Sequence, residues 1–442
     1  MKSRIIALAV LLALGSGSAF AAGNKASPAS TRHASPAAAV AATPGITSAP
    51  AAKPLTPAHY QQMYYDAWFS LGEQYYDPSK LSGWKDWQHR YDGKLTTEQE
   101  LDAALKALTG SLHDQWTGYQ SSHERLLDVF ASVRGLINLG MVLKPADDGA
   151  YKVSIAPYGT LARLSGIQAG DVIESIGGVV LRSLSQDKVD ALLTVQGGPD
   201  VPVTYVADGV RKTVSMKTTQ PEVRYAEAKM LPGKILYARL SSYMDSAHLA
   251  LFYSEVSRVL SSGDADGLLL DWRGNAGGKI ELVQKQAAFF VPGRTIMRVQ
   301  TRNANLVTSS EIKANRLLDF ELDGLAEGQK RMMALFSGKP IVILVDGSTA
   351  SAAEVFTGAL LDNGRAIVVG TDTYRKGVGF DEVDVPTGGV LTVTSLKYLT
   401  PSGSDVSVAG IHPTIVVPAR RDGVDNQAQV GVVELQKLIA NR

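Results

Sequence analysis

Three short segments contain residues that could carry out hydrolytic chemistry, and the first of them centres on Ser351. This serine follows the apolar run Ile341–Val345 and a stretch of small residues, and a helical pattern begins directly after it, at Ala352. Small residues at such a junction let backbone N–H groups approach a ligand, and the first turn of a helix favours negative charge. The Ser351 hydroxyl is therefore a candidate nucleophile. Serine is also among the commonest helix N-cap residues, which is the structural alternative.

The second segment holds Lys376, a candidate base. A serine hydroxyl attacks a carbonyl carbon only when a neighbouring group accepts its proton. No histidine lies close to Ser351 in the sequence, whereas Lys376 follows it by 25 residues, in the loop after the apolar run Ile367–Val369. If the two apolar runs form adjacent strands, both loops reach the same end of one sheet. The amine acts as a base only when neutral, so burial has to lower its pKa from about 10.4 towards about 7–8, whereas a surface lysine stays charged.

The third segment is the glycine-rich stretch Asp271–Gly278, which follows the apolar run Gly267–Leu270. Glycine permits backbone conformations that point N–H groups into a cleft. Together with the Ala352 N–H, such a loop would complete a binding site for an oxyanion. An ordinary turn explains the same composition.

The composition of the chain excludes several other kinds of chemistry. Its 442 residues include no cysteine, 7 His, 44 Lys+Arg and 43 Asp+Glu. A thiolate nucleophile, a thiolate metal site and a disulfide are therefore excluded, and the lack of an H-E-x-x-H pair argues against a zinc enzyme. The balanced charge argues against a nucleic-acid partner. Neither a G-x-S-x-G motif nor a phosphate-binding loop is present, so we expect the chemistry to use hydroxyls, carboxylates, amines or backbone dipoles.

The first 55 residues lack the composition of a folded domain. Lys2 and Arg4 precede the apolar run Ile5–Leu14, and Ala19–Ala21 offers a cleavage site, which together predict an export signal over residues 1–21. The apolar run is only about half of the ~20 residues that a membrane span requires. Residues 22–55 are rich in Ala, Pro and Ser, which predicts a disordered tether. Export without cysteine is typical of the bacterial periplasm or cell envelope.

The remaining sequence predicts a multidomain α+β protein. Residues 56–130 begin with a Thr56–Pro57 helix start and contain a Thr97/Glu100 capping box, which predict an N-terminal helical domain. Residues 131–220 have short β-rich runs, a two-residue hairpin signal at Gly177–Gly178 and helical apolar spacing over residues 187–195, which predict a small β-rich domain. Residues 221–418 alternate helix patterns with apolar strand-like runs such as Ile235–Leu240, which predicts a layered α/β core. Residues 419–442 predict a tail with a short helix. We expect the aromatic residues of the helical domain to form its core: Tyr64, Tyr65, Trp68, Phe69, Trp84 and Trp87.

Taken together, these segments resemble the carboxyl-terminal processing proteases, the tail-specific serine peptidases of family S41. The matching stretches are Thr349–Glu354, Lys376, Asp271–Gly278, Asp362–Ala366 and Tyr398–Gly403. The resemblance implies a crotonase- and ClpP-like layered peptidase core over residues 221–418, with no metal or cofactor. It assigns roles residue by residue: nucleophile Ser351, general base Lys376, oxyanion donors Gly277 and Ala352, and supporting residues Glu354 and Asp362.

The resemblance extends upstream to about residue 56. Leu139–Met141, the stretch 161–171 and Ile176–Gly178 are similar to a PDZ domain, and Leu112–Thr117 is similar to the element that closes the family's helical part. A PDZ domain adds a peptide to its sheet as a strand and binds the terminal carboxylate through backbone N–H groups. The resemblance therefore implies polypeptide substrates with free apolar C-termini, held by a carboxylate loop formed by Leu139, Gly140 and Met141. Delivery of substrate by an envelope adaptor protein is compatible with it.

The sequence departs from the family pattern close to the lysine. Phe380 stands where many members have a glutamine that orients the amine, Arg375 replaces a glycine, and Thr371 replaces an acidic residue. Our hypothesis is an exported serine endopeptidase with a Ser351–Lys376 dyad. The alternatives are a catalytically impaired scaffold of the same fold that binds peptides, and a hydrolase that uses the dyad on another ester or amide.

Overall fold

The structure, a computed structural model, describes residues 55–125, 136–218, 224–303, 306–314, 327–419 and 424–442. The predicted export signal and the predicted tether up to residue 54 lie outside these ranges. Within the described residues, none of the helices combines the length and the apolar character needed to cross a bilayer.

The first described part is helical, and both predicted helix starts are confirmed. Pro57 occupies the first turn of a helix behind Thr56, and Thr97 and Glu100 form a reciprocal capping box. The elements are α1 (Pro57–Gln74), a 3₁₀ turn (Pro78–Leu81), α2 (Trp84–Gln88), α3 (Glu98–Gly110) and the short strand β1 (Gly118–Gln120).

The prediction that all the aromatic residues of this part are buried is wrong for two of them. Tyr65 is 39% exposed and Phe69 is 53% exposed, whereas Tyr64 is fully buried. Helix α1 buries Tyr64, Ala67 and Leu71, which share one face at the helical spacing, so residues 65 and 69 point away from it. Helical spacing therefore decides burial here, rather than the apolar character of each ring.

The second part, residues 136–218, is mainly β-sheet. Its elements are β2 (Leu136–Asn138), β3 (Val142–Pro145), β4 (Tyr151–Ile155), α4 (Leu161–Leu164), β5 (Val172–Ile176), β6 (Val179–Val180), α5 (Gln186–Leu192), β7 (Thr194–Gln196), β8 (Val201–Ala207) and β9 (Val210–Met216). The strands pair in the order β3-β4-β5-β8-β9, with β6 on β5 and a separate β2–β7 pair. The predicted hairpin at Gly177–Gly178 is confirmed. The helix predicted over residues 187–195 ends earlier, because residues 194–196 pair with β2.

The third part begins at residue 224 and contains two sheets. Its elements are β10 (Ala226–Leu231), β11 (Ile235–Leu240), α6 (Ser246–Leu260), β12 (Gly267–Asp271), α7 (Ile280–Ala287), β13 (Thr295–Asn303), β14 (Leu306–Lys313), α8 (Glu327–Gly338), β15 (Ile341–Val345), α9 (Ala352–Asp362), β16 (Ile367–Gly370), β17 (Val378–Asp384), β18 (Val390–Leu399), α10 (Val406–Ala409), β19 (Ile415–Val416) and α11 (Asn426–Ala440). The predicted apolar strands β11, β12, β15 and β16 are confirmed, and the predicted C-terminal helix is longer than expected.

The first sheet has the order β10-β11-β12-β15-β16-β19 and is parallel from β11 onward. Leu236, Leu268 and Ile343 pack on one face with residues of α6, α7 and α9, and Leu269 and Leu344 pack on the other with α11. A sheet covered on both faces has strands that are apolar throughout, which is why the sequence revealed them. Because β12, β15 and β16 are adjacent and parallel, the loops that follow them meet at one edge.

The second sheet is antiparallel and joins the helical part to the core. Its order is β1-β18-β13-β14, with β17 also paired to β18. Leu391 and Val393 of β18 belong to the same buried cluster as Leu71 and Leu101 of α1 and α3. The sequence pattern did not reveal this sheet.

Candidate active site

Ser351 stands at the turn between β15 and α9, with an unusual backbone conformation. Its φ and ψ are 54° and −122°, which few residues other than glycine adopt. The loop after β12 packs directly against this turn, because the Ala350 N–H donates to the Asn275 carbonyl oxygen at 2.9 Å. A Cβ atom built on Gly277 would lie 2.7 Å from the Ser351 Cβ and 2.8 Å from the Ala352 nitrogen. Only glycine allows the two loops to approach so closely.

The buried carboxylate of Glu354 connects the segment of Ser351 to that of Lys376. It accepts the Ser351 N–H at 2.7 Å, the Arg375 N–H at 2.8 Å, the Lys376 N–H at 2.9 Å and the Thr373 hydroxyl at 2.5 Å. Burial raises the pKa of Glu354, and these hydrogen bonds oppose that rise. Glu354 thus positions the backbone of both candidate catalytic residues, and its supporting role in catalysis stays a prediction.

Replacing Glu354 by leucine is expected to lower the free energy of unfolding by at least about 3 kcal/mol. The substitution leaves the buried Lys376 N–H, the buried Thr373 hydroxyl and the partly buried N–H groups of Ser351 and Arg375 without their acceptor, and each buried group left unpaired costs about 1–3 kcal/mol. Glu354→Gln retains an acceptor oxygen and is expected to lose less than half as much. Urea unfolding of the two variants checks this, and equal stability of Glu354→Leu and the unmodified protein would contradict it.

Lys376 lies in a dry environment. Lys376 is only 4% exposed, and its Nζ lies 4.8 Å from the ring centroid of Trp116 and 5.1 Å from that of Phe380. Burial lowers the pKa of Lys376 to about 8, against a smaller opposite effect of the Glu354 charge. The amine is therefore close to the range in which a lysine can act as a base.

Tyr398 lies between the two residues. Its hydroxyl donates a hydrogen bond to the Lys376 carbonyl oxygen and interacts with the Ser351 side chain, and burial raises its pKa so that it stays protonated. Among the described residues, no hydrogen bond joins the Ser351 hydroxyl directly to the Lys376 amine. The structure therefore brings Ser351 and Lys376 into one site without the direct contact that the dyad requires.

The backbone donors beside Ser351 differ from the predicted pair. The Gly277 N–H already donates to the Asn275 Oδ1 at 2.9 Å, so it does not fit the predicted role of oxyanion donor. The Tyr243 N–H donates to the Gly277 carbonyl oxygen, and the Lys279 N–H donates to the Tyr243 carbonyl oxygen. This is the pattern of a parallel β-bridge between Tyr243 and Gly278, in which the Gly278 N–H points away from Tyr243. Among the described residues, neither the Gly278 N–H nor the Ala352 N–H has a hydrogen-bond acceptor. These two groups are the donors open to a ligand.

Asp362, the other predicted supporting residue, is not part of this constellation. It is the last residue of α9, whereas Ser351 precedes the first. Its carboxylate accepts the Ser402 N–H at 2.8 Å. Asp362 therefore orders the loop after β18, at the opposite end of the helix from Ser351.

The predicted carboxylate loop lies beside β3, and two of its three N–H groups are occupied. The Leu139 N–H donates to the Leu193 carbonyl oxygen at 2.8 Å, and the Gly140 N–H donates to the Asn138 Oδ1 at 2.7 Å. For the Met141 N–H there is no acceptor among the described residues. The loop as it stands offers one free donor where the resemblance implied three.

The β-rich part packs directly on the loops of the candidate site. Arg163 of α4 forms an ion pair with Asp346 at 2.5 Å, and the Tyr158 N–H donates to the Gly274 carbonyl oxygen at 2.9 Å. The Ser348 hydroxyl accepts the Ala156 N–H at 3.1 Å. Both loops that flank Ser351 are therefore in contact with residues 156–163.

Four residues of the site belong to the family-like motifs, but the sequence alone indicated no role for them: Trp116, Asn275, Gly278 and Tyr398. Their positions in those motifs were the one available signal. Among the described residues, no group of three or more His, Asp or Glu side chains has the arrangement of a metal site.

The chain is similar in sequence and fold to known proteins. Residues 234–417 match the sequence model of Peptidase family S41. A chloroplastic C-terminal processing peptidase of Tetradesmus obliquus is 27% identical over 393 residues, which cover 82% of this chain and 80% of that protein. A carboxyl-terminal-processing protease of Picosynechococcus is 27% identical over 368 residues, covering 81% and 83%. The solved structure of a photosystem II D1 C-terminal processing protease shares the fold, with a TM-score of 0.65 and 22% identity over 81% of this chain and 93% of that one.

Proposed function

We propose that this protein is a serine endopeptidase of family S41 that uses Ser351 and Lys376 to cleave polypeptides recognised by their C-terminal tails. The match of residues 234–417 to the model of that family supports the proposal. The observation that carries the proposal is the burial of Lys376 in the same site as a serine at a helix start, with the backbone N–H groups of both residues donating to the Glu354 carboxylate. A second candidate is a scaffold that binds peptides without cleaving them. It is favoured by Phe380 and by the lack of a direct hydrogen bond between Ser351 and Lys376 among the described residues.

In the proposed reaction, the Ser351 Oγ attacks the peptide carbonyl carbon while the neutral Lys376 amine accepts the hydroxyl proton. For this step the amine has to move from the two aromatic rings to the hydroxyl. The N–H groups of Gly278 and Ala352 bind the oxyanion, and the helix start adds partial positive charge. The protonated lysine then gives its proton to the leaving amine, which leaves an acyl-enzyme. A water molecule transfers a proton to Lys376 and attacks the ester carbonyl carbon; the bond to the Ser351 Oγ then breaks, Lys376 returns the proton to that oxygen, and the second product leaves with a new carboxyl group.

Residues 131–220 would present the tail as a PDZ-like domain. Strand β3 lies at the edge of its sheet, so a peptide can add to it as a further strand. The Gln186 side chain donates to the Leu143 carbonyl oxygen of this strand at 3.0 Å and would have to give way. The Met141 N–H would receive the terminal carboxylate, with Leu139 and Gly140 shaping the turn. Residues 56–130 would be the helical domain, 221–418 the peptidase core and 419–442 the C-terminal tail.

The proposed site of action is the bacterial periplasm or cell envelope. This rests on the predicted export signal over residues 1–21, the predicted tether over residues 22–55 and the absence of cysteine. The proposed partners are polypeptides with free apolar C-termini, delivered directly or by an envelope adaptor. The proposed chemistry requires no metal or cofactor.

The test is incubation of the purified protein with a disordered polypeptide that ends in apolar residues. We expect cleavage, covalent labelling of Ser351 by a fluorophosphonate, and loss of both in Ser351→Ala. The same polypeptide with an amidated C-terminus is expected to be cut more slowly, because the tail carboxylate is lost. Binding of the polypeptide without cleavage or labelling would overturn the proposal in favour of the scaffold, and cleavage of small esters alone would favour another hydrolase.

A further inference from the structure

The Lys376 amine lies between two aromatic rings that come from distant parts of the chain. Trp116 belongs to the loop between α3 and β1, and Phe380 belongs to β17. The distances of 4.8 Å and 5.1 Å from Nζ to the two ring centroids lie within the range of cation–π contact. Phe380 is also one of the residues at which the sequence departs from the family pattern. We call Trp116 and Phe380 the aromatic clamp.

The loop that carries Trp116 is fastened to strand β18. The Asp114 carboxylate accepts hydrogen bonds from the Trp116 backbone N–H at 3.0 Å and from the Thr117 hydroxyl at 2.8 Å. It also accepts the hydroxyl of Thr394, in β18, at 2.5 Å. In addition, the Thr394 N–H donates to the Thr117 hydroxyl at 3.1 Å. The backbone that carries the Trp116 indole is therefore a hydrogen-bonded turn rather than a free loop.

Phe380 pairs across the sheet with the same residue of β18. Thr394 is its cross-strand neighbour, and the strand register shifts between Gly379 and Phe380. Such an irregularity re-aims the side chain that follows it. Since Thr394 contacts both the Asp114 turn and Phe380, one strand position sets the separation of the two rings.

We propose that the aromatic clamp of Trp116 and Phe380 positions the Lys376 amine and keeps water away from it. The inference rests on the proposed function, in which Lys376 is the base. Ring faces attract an amine without offering it a hydrogen-bond acceptor, so they hold the side chain and leave it free to move to Ser351. Trp116 and Phe380 are positioning residues, since they act through the lysine and not on the substrate.

The charged groups around the amine are consistent with this role. Glu354 of α9 is the carboxylate whose charge acts on Lys376. The neighbouring Arg375 pairs instead with Asp372 at 3.3 Å. Tyr374, which packs edge-on against Trp116, and Tyr398 are neutral phenols, because burial raises the pKa of both. The removal of water by the clamp lowers the pKa of Lys376, whereas the Glu354 charge and the attraction of the ring faces for the protonated amine raise it. The low pKa of Lys376 indicates that the removal of water prevails.

The test measures the titration of the Lys376 amine itself, which does not require peptidase activity. An amine-reactive reagent is applied to the whole protein over a pH series, and the modified peptides are quantified by mass spectrometry with the exposed Lys188 as internal reference. In Trp116→Leu we expect water to reach the Lys376 amine and the titration midpoint of this amine to rise by about one pH unit. Fluorophosphonate labelling of Ser351 at pH 7 is then expected to fall about tenfold. Phe380→Leu is expected to act in the same direction.

Two further variants keep the test specific. Trp116→Phe retains a ring face and is expected to restore most of the titration and labelling. Trp87→Leu removes another partly buried tryptophan, one that stacks on Arg90 at 4.3 Å, and is expected to change neither. An unchanged Lys376 midpoint in a folded Trp116→Leu protein would overturn the clamp. A clamp-dependent midpoint in a protein that never labels at Ser351 would support the clamp and contradict the proposed function.

Discussion

Replacing Lys376 by methionine is expected to reduce polypeptide cleavage by about 10³–10⁴-fold, because the site then lacks a base for the Ser351 hydroxyl. The amine is buried, and burial lowers its pKa to about 8. Methionine fills a similar volume between Trp116 and Phe380 but accepts no proton. Initial cleavage rates of the two proteins under saturating substrate check this.

The pH profile of the unmodified enzyme gives an independent readout. The base form of Lys376 is the neutral one, so cleavage is expected to rise with pH and to level off above about 8, the pKa of this amine. At pH 7 about one tenth of the molecules carry the neutral form. Lys376→Met is expected to lose this rise, whereas Lys188→Ala, at an exposed position, is expected to retain it. Cleavage by Lys376→Met within tenfold of the unmodified rate would contradict the assignment of the base.

The methionine variant is expected to fold. A lysine whose pKa is lower in the folded than in the unfolded state binds fewer protons when folded between the two pKa values, here about 8 and 10.5. Its effect on stability is therefore unfavourable at neutral pH and is relieved as the pH rises through this window. Removing the amine at pH 7 removes that cost, so the unfolding midpoint is expected to be equal or higher.

Replacing Gly277 by alanine is expected to reduce cleavage by about 10²-fold or more. The added Cβ would lie 2.6 Å from the Ala350 carbonyl oxygen, 2.7 Å from the Ser351 Cβ and 2.8 Å from the Ala352 nitrogen. None of these atoms belongs to a flexible side-chain end, so the two loops have to move apart. Such a shift displaces the proposed nucleophile Ser351 and the proposed oxyanion donors Gly278 and Ala352, and misplacement by about 1 Å costs roughly a hundredfold in rate.

Gly364→Ala is a matched control for this substitution. Both glycines have a positive φ, 92° at Gly277 and 65° at Gly364, but an added Cβ at Gly364 would meet no heavy atom within 4 Å. The control therefore adds backbone strain of about 1–2 kcal/mol without a collision. It is expected to lower the unfolding midpoint slightly and to leave kcat unchanged. Equal kcat values for Gly277→Ala and Gly364→Ala would show that the close approach has no effect on catalysis.

The parts of the fold that sequence reasoning predicted well are those with local causes. The runs Ile235–Leu240 and Ile341–Val345 coincide with β11 and β15, because a strand buried on both faces is apolar at every position. The capping box at Thr97 and Glu100 marks the start of α3 for a similarly local reason. The antiparallel sheet escaped prediction because β14 is exposed along almost its whole length and shows no apolar alternation. Its pairing with β13 and β18 depends on contacts that are distant in sequence.

The candidate site shows the same division. Residue type and spacing along the chain were enough to single out Ser351, Lys376 and the glycine-rich loop, since a nucleophile, a base and a close backbone approach each demand a particular residue. Tertiary packing alone decided that Trp116 covers the lysine and that the loop of Gly277 packs against Ser351. The hydrogen bond from the Gly277 N–H to the Asn275 side chain is local, because the two residues are neighbours in one turn. The physical reason for the division is that exclusion of water and close approach are properties of what surrounds a group. For Lys376 those surroundings include Trp116, which lies more than 200 residues away in the chain.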